Sequence, residues 1–275
     1  MDGPDARNYF INMSVSAATA EQFVDVPGGS VYVRIWTPAR PLSRVPLVLL
    51  HDSLGCVETW RDFPSLLSAR LGRPVIAYDR LGFGRSSARS DLPSIRFISE
   101  EAEICFPAIR QSLGLGRFVV MGHSVGGSMA VVCAGCLARD CDAVVTESAQ
   151  AFVEDRTRQG IIEAKASFRD PGELGKLAKY HGDKTSWVLR AWTDVWLSSE
   201  FASWSLKDEL PRVQCPLLAV HGERDEFGSS RFPEMLCSLA GGPAEKLIIP
   251  GCGHVPHREK PDVVLEALAR FLSNR

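Results

Sequence analysis

The residues whose types and spacing point most clearly to chemistry are Gly122-His123-Ser124-Val125-Gly126. Gly-x-Ser-x-Gly puts a serine at the tip of a sharp strand-to-helix turn, where neighbouring side chains must be nearly absent. A serine hydroxyl is a poor nucleophile until a base takes its proton, and that base needs a third group to fix its tautomer and orientation. Of the six histidines, His254 is the preferred base. It follows the apolar run Leu247-Ile248-Ile249 and the turn Pro250-Gly251-Cys252-Gly253, which puts it at the carboxyl end of a strand, where α/β active sites lie. His257, three residues on, competes with it. His123 adjoins the serine, but the turn aims it away, and His221 is expected to order its own loop. For the acid, Leu217-Leu218-Ala219-Val220-His221-Gly222-Glu223-Arg224-Asp225 places Asp225 in a loop just beyond another strand.

These residues need elements to hold them. Phe118-Val119-Val120-Met121 before the serine motif is short, apolar and β-branched, as a strand buried on both faces should be. Ser128-Met129-Ala130-Val131-Val132-Cys133-Ala134 after it is small and apolar, suited to a helix packed on a sheet. Similar apolar runs occur at 47–50, 75–78, 143–145, 217–220 and 247–249. Helical patterns at 57–71, 95–113, 125–137 and 263–272 separate most of them. Strands alternating with helices imply a mostly parallel sheet covered on both sides. Ahead of it, 21–26 and 31–36 alternate around Pro27-Gly28-Gly29-Ser30 and predict a β-hairpin, completing an eight-stranded α/β fold. Residues 1–20 read as a flexible tail. The core is expected over 21–148 and 211–275. Residues 149–210 carry helical periodicity and four of the six tryptophans, and predict a helical cap.

The chain order Ser124, Asp225, His254 resembles that of the α/β-hydrolase superfamily, over about residues 21–272. The resemblance implies a cap-bearing, bacterial-type serine hydrolase. It implies oxyanion donors at the Val125 N–H and at the loop His51-Asp52-Ser53-Leu54-Gly55, where Ser53 N–H is preferred and Leu54 is the alternative. The superfamily usually has His-Gly in that loop, so Asp52 is a departure. Glu147 is the rival acid, because some members take theirs from that strand. Tyr78-Asp79-Arg80-Leu81-Gly82-Phe83-Gly84-Arg85-Ser86 resembles a second superfamily signature, read as a structural turn near the site. Serine at the elbow, not aspartate, argues against dehalogenase and epoxide hydrolase chemistry.

Composition narrows the partners. A net charge of −2 offers no footprint for nucleic acid, and no basic run or long apolar stretch suits a membrane. The first twenty residues lack a signal-peptide apolar run, so a cytoplasmic protein is expected. The eight cysteines read as free thiols, and Cys133 with Cys136 alone cannot make a zinc site. No cofactor or metal is implied. The expected partner is a small-molecule substrate, with monomer and homodimer both compatible.

Trp192 and Trp196 stand at i and i+4, on one helix face. They are either cap core or an apolar roof over the serine, with Tyr180 and His181 adding polar contacts. The candidate substrate contacts are Leu54, His123, Trp192 and Trp196. The leading expectation is a carboxylesterase-type enzyme that cleaves an ester or thioester of a small apolar or aromatic acyl compound through an acyl-enzyme. The alternatives are hydrolysis of a carbon–carbon bond in a vinylogous diketone on the same triad, and a non-catalytic ligand-binding protein on this scaffold.

Overall fold

In a computed structural model, which describes residues 17–273, eight strands form one sheet in the order β1-β2-β4-β3-β5-β6-β7-β8. They are β1 (Ala18–Val26), β2 (Gly29–Thr37), β3 (Leu47–Leu50), β4 (Val75–Tyr78), β5 (Phe118–His123), β6 (Cys141–Glu147), β7 (Leu217–Gly222) and β8 (Ala244–Ile249). The hairpin β1–β2 is antiparallel and pairs antiparallel onto β4. From β4 through β8 every pairing is parallel, as the continuous apolar runs predict.

From β3 to β7 the sheet is buried on both faces, and alternation along its strands assigns the residues. Val48, Leu50, Phe118 and Val120 face one core with Ile98, Phe106, Met129 and Phe232. Leu47, Leu49, Val119 and Met121 face the other with Phe63, Leu67, Val264 and Leu268. The first core is covered by α2 (Phe97–Glu100), α3 (Phe106–Ser112), α4 (Val125–Cys136) and α8 (Arg231–Leu239). The second lies under α1 (Phe63–Leu71) and α10 (Pro261–Leu272), with the short α9 (Pro256–Glu259) leading into α10. Helix α4 is buried on nearly every side, which explains its run of small apolar residues.

Between β6 and β7 come α5 (Asp155–Ser167), α6 (Pro171–His181) and α7 (Thr185–Trp196). Ile161, Trp192 and Trp196 join the first core, so this insertion is continuous with the main body.

Three expectations change. Ala18, Thr19 and Ala20 belong to β1, not to a tail, because Ala18 pairs with Thr37 at the sheet edge through backbone bonds that leave no hydrophobic signature. Residues 1–16 of that expected tail lie outside the described residues. The pattern at 57–71 is not one helix. A 3-10 turn (Val57–Trp60) ends at Arg61, whose φ of 53° breaks the helical path before α1 begins. The pattern at 95–113 is α2 and α3 joined by a π-helical turn (Glu101–Cys105), which buries Glu101 under the Tyr78 hydroxyl at 2.6 Å.

Candidate active site

Ser124 sits between β5 and α4 at φ 55° and ψ −126°, a backbone conformation that side chains rarely adopt. Its N–H donates to the Glu147 carbonyl at 2.8 Å, which fixes the turn against β6. The glycines either side are required by space: a Cβ on Gly122 would overlap the Gly126 carbonyl, and one on Gly126 would overlap that of Leu50. The serine is buried, yet it lines a cavity of about 560 Å³ together with His254.

His254 Nδ1 lies 2.8 and 2.9 Å from the two carboxylate oxygens of Asp225. Asp225 Oδ1 also accepts the Phe227 N–H at 2.8 Å, so the acid is held by its own loop after β7. Burial alone would raise the Asp225 carboxyl, but the His254 charge and hydrogen bond outweigh it and hold it below the usual carboxylate range. With Nδ1 so occupied, Nε2 is the ring nitrogen left for proton exchange. The side chain hydrogen-bonded to Ser124 Oγ among the described residues is that of Gln150, whose Nε2 lies 3.2 Å away. In this conformation His254 faces the cavity without a hydrogen bond to the serine.

The rival residues pair with each other. Glu147 receives the His257 backbone N–H and, at 2.8 Å, its Nδ1. Burial would raise the Glu147 carboxyl, and His257 instead brings it down. His257 lies packed against Trp60 and Phe63 and does not line the cavity. His221 Nε2 approaches the Gly228 carbonyl at 3.3 Å, within its own loop.

The loop after β3 is anchored from several directions. Asp52 Oδ1 accepts the Leu54 N–H at 2.8 Å, so that N–H is already engaged within the loop. Arg80 donates to the Asp52 carbonyl at 2.8 Å. Among the described residues, the N–H groups of Ser53 and Val125 have no acceptor. The other Asp52 oxygen lies 3.5 Å from His123 Nδ1, and His123 Nε2 is 2.8 Å from the His254 carbonyl. Burial works against a charge on His123, but Asp52 and Glu147 outweigh it and raise the imidazole to about 8. His181 ties the insertion to this loop. Its Nδ1 accepts the Gly84 N–H at 3.0 Å, so Nε2 is the protonated nitrogen that donates to the Leu54 carbonyl at 2.9 Å. Asp79 of the second signature accepts the backbone N–H groups of Val57 and Arg85 and so holds its turn together.

Leu54, His123, Trp192 and Trp196 all line the cavity, as does Tyr180, whereas His181 does not. Sequence reasoning missed Gln150, Phe227, Arg61 and Arg258 on its wall. Gln150 had a faint signal, since it lies three residues past the end of β6, at the edge where such sites form.

A family model described as the alpha/beta hydrolase family matches residues 47–267, and the chain belongs to that family. A proline iminopeptidase of Lactiplantibacillus plantarum is 36% identical over 105 residues, which span 38% of this chain and 36% of that relative's length. The chain's match to this relative thus covers little more than a third of it. A proline iminopeptidase of Lactobacillus crispatus is 22% identical across 89% of this chain and 95% of its own. Among solved structures, a 2-hydroxy-6-oxo-6-phenylhexa-2,4-dienoate hydrolase from a Rhodococcus species superposes with a TM-score of 0.78, covering 94% of this chain and 100% of that one. At 16% identity the likeness is one of fold. Among the described residues no helix is long and apolar enough to cross a membrane.

Proposed function

We propose that the chain is a serine hydrolase that cleaves a carboxylic ester or thioester with an apolar acyl group. The observation that carries this reading is the opening of the strained Ser124 and the Asp225-held His254 onto one cavity walled by Trp192 and Trp196. In the reaction, Ser124 Oγ attacks the acyl carbon while His254 Nε2 takes its proton. Asp225 stabilises the imidazolium, and the N–H groups of Ser53 and Val125 receive the developing oxyanion. The proton passes from His254 to the leaving alcohol or thiol as the carbon–oxygen or carbon–sulfur bond breaks. Water, activated by the same histidine, then hydrolyses the acyl-enzyme and restores the serine. Residues 149–210 act as the cap, and Leu54, His123, Trp192 and Trp196 contact substrate.

The names of the relatives raise a peptidase reading. A peptide presenting a protonated amino terminus needs a free carboxylate to receive it. The carboxylates lining the cavity are Asp52, engaged by His123 and the Leu54 N–H, and Glu173, engaged by Lys176 at 2.6 Å. Asp52 is held through both oxygens, which favours the ester, and Glu173, in an exposed pair with Lys176, is the carboxylate that a peptide would have to use. The test is labelling with a fluorophosphonate, followed by a panel of esters and thioesters of graded acyl length beside prolyl and other aminoacyl amides. Labelling with ester turnover is expected. Absence of labelling, or turnover of aminoacyl amides alone, overturns the reading.

A further inference from the structure

The charged residues of the cavity are unevenly signed. Its buried wall is apolar, formed by Ile161, Trp192 and Trp196, whereas its exposed mouth carries Arg61, Lys176, Lys179 and Arg258 against Glu173. Glu173 is already paired with Lys176. Glu58, three residues before Arg61, is taken by Arg34 at 2.5 Å. Arg258 donates to the Thr59 carbonyl, which brings a second guanidinium to the segment that holds Arg61. Among the described residues the Arg61 guanidinium has no hydrogen bond or ion pair.

Arg61 also stands apart in its backbone. Its φ of 53° and ψ of −126° nearly repeat the 55° and −126° of Ser124, and both residues line the cavity. A glycine would take that conformation without strain, so what the arginine adds at position 61 is its side chain. Strained non-glycine residues cluster at ligand sites, and a guanidinium matches the two oxygens of a carboxylate or phosphate.

We infer that the substrate carries an anionic group, a carboxylate or phosphate, on the part of the molecule opposite its apolar acyl group, and that Arg61 receives it with Arg258 and Lys179 nearby. The inference rests on the hydrolase reading for the identity of the scissile bond. The apolar acyl group lies against the tryptophans, and the anion lies at the mouth, where a mainly cationic rim also draws it in.

The test compares 4-(hexanoyloxy)benzoate and 4-(hexanoyloxy)phenyl phosphate with the neutral 4-(hexanoyloxy)benzamide. The readout is the ratio of anionic to neutral kcat/KM, which cancels effects common to both. Arg61→Gly, which relieves the backbone, and Arg61→Gln, which keeps a donor without charge, should each lower that ratio about tenfold. The ratio should also shrink at about 0.5 M salt, while Lys207→Ala, an exposed cation outside the cavity, should leave it unchanged. The anion with the larger drop is the one the site accommodates. A ratio that is the same in wild type and both Arg61 variants overturns the inference while leaving the hydrolase reading intact. A binding arm covers the case of no turnover: the amides 4-hexanamidobenzoate and 4-hexanamidobenzamide are titrated calorimetrically into Ser124→Ala. Tighter benzoate binding that is lost with Arg61→Gly supports the anion site even if the hydrolase reading fails. Equal binding overturns it.

Discussion

Asp52 and His123 join the loop after β3 to the Ser124 turn, with Oδ2 3.5 Å from Nδ1 across 71 residues of sequence, the span from position 52 to position 123. The same carboxylate accepts the Leu54 N–H through its other oxygen. One side chain thus sets the backbone that carries Ser53 N–H and anchors the residue before Ser124. The acid that departs from the superfamily's usual glycine therefore ties its own loop to the β5–α4 turn.

Asp52→Asn is expected to destabilise the protein in a pH-dependent way. The folded His123 titrates near 8, above its ordinary 6.5, so its contribution is fully present below 6.5 and is lost as pH rises through 8. A shift of this size corresponds to about 2 kcal/mol at most. Chemical denaturation at pH 6 should show a clear loss in the variant, and at pH 9 the two proteins should converge. An equal loss at both pH values would assign Asp52 to loop geometry alone.

Ser124→Ala should abolish fluorophosphonate labelling and reduce ester turnover severely; such a change reaches about 10⁶ in a well-adapted protease. His254→Ala should match it. Asp225→Asn should retain the fold and lose most turnover, because the imidazole loses its orienting partner. His257→Ala should behave differently. It removes the side-chain donor to the buried Glu147 carboxylate and leaves the backbone N–H of residue 257 in place, which can cost about 1–3 kcal/mol of stability, while labelling of the folded fraction persists. Loss of labelling in folded His257→Ala would require the base to be reassigned.

Gln150→Leu removes the donor that sits 3.2 Å from Ser124 Oγ while keeping the side chain's bulk. The rate of fluorophosphonate inactivation should fall by roughly tenfold, within the range that misplacement of a reacting group produces. Thermal unfolding should shift little, because the backbone carbonyl of Gln150 keeps its 2.7 Å bond from Ser128. An unchanged inactivation rate would remove Gln150 from the site's machinery.

Trp192→Ala and Trp196→Ala should raise KM for hexanoate and larger esters more than for acetate. Trp196 is nearly inaccessible and packs on Phe201 and Trp204, so its loss should cost about 3–5 kcal/mol. Trp192 packs on Phe227, which itself lies against His254. Acyl preference measured beside the melting temperature separates the two effects. Lower stability with an unchanged acyl preference would make both tryptophans core residues only.

The elbow, the strands around it and the chain order Ser124, Asp225, His254 were legible in the chain, because each rests on local rules. Glycines two residues either side of a serine answer a steric demand within five residues, and buried strands declare themselves by unbroken apolar runs. The choice between His254 and His257 was not local. They stand three residues apart, and only the packing of β7 and β6 sends one to Asp225 and the other to Glu147, 110 residues away. The Asp52–His123 pair, Gln150 against Ser124, and the unpaired cation at Arg61 have the same origin. Each depends on which loops the parallel sheet gathers at its carboxyl edge. A short-range pattern specifies the strands, but the contacts among the loops they carry are set by how those strands stack side by side.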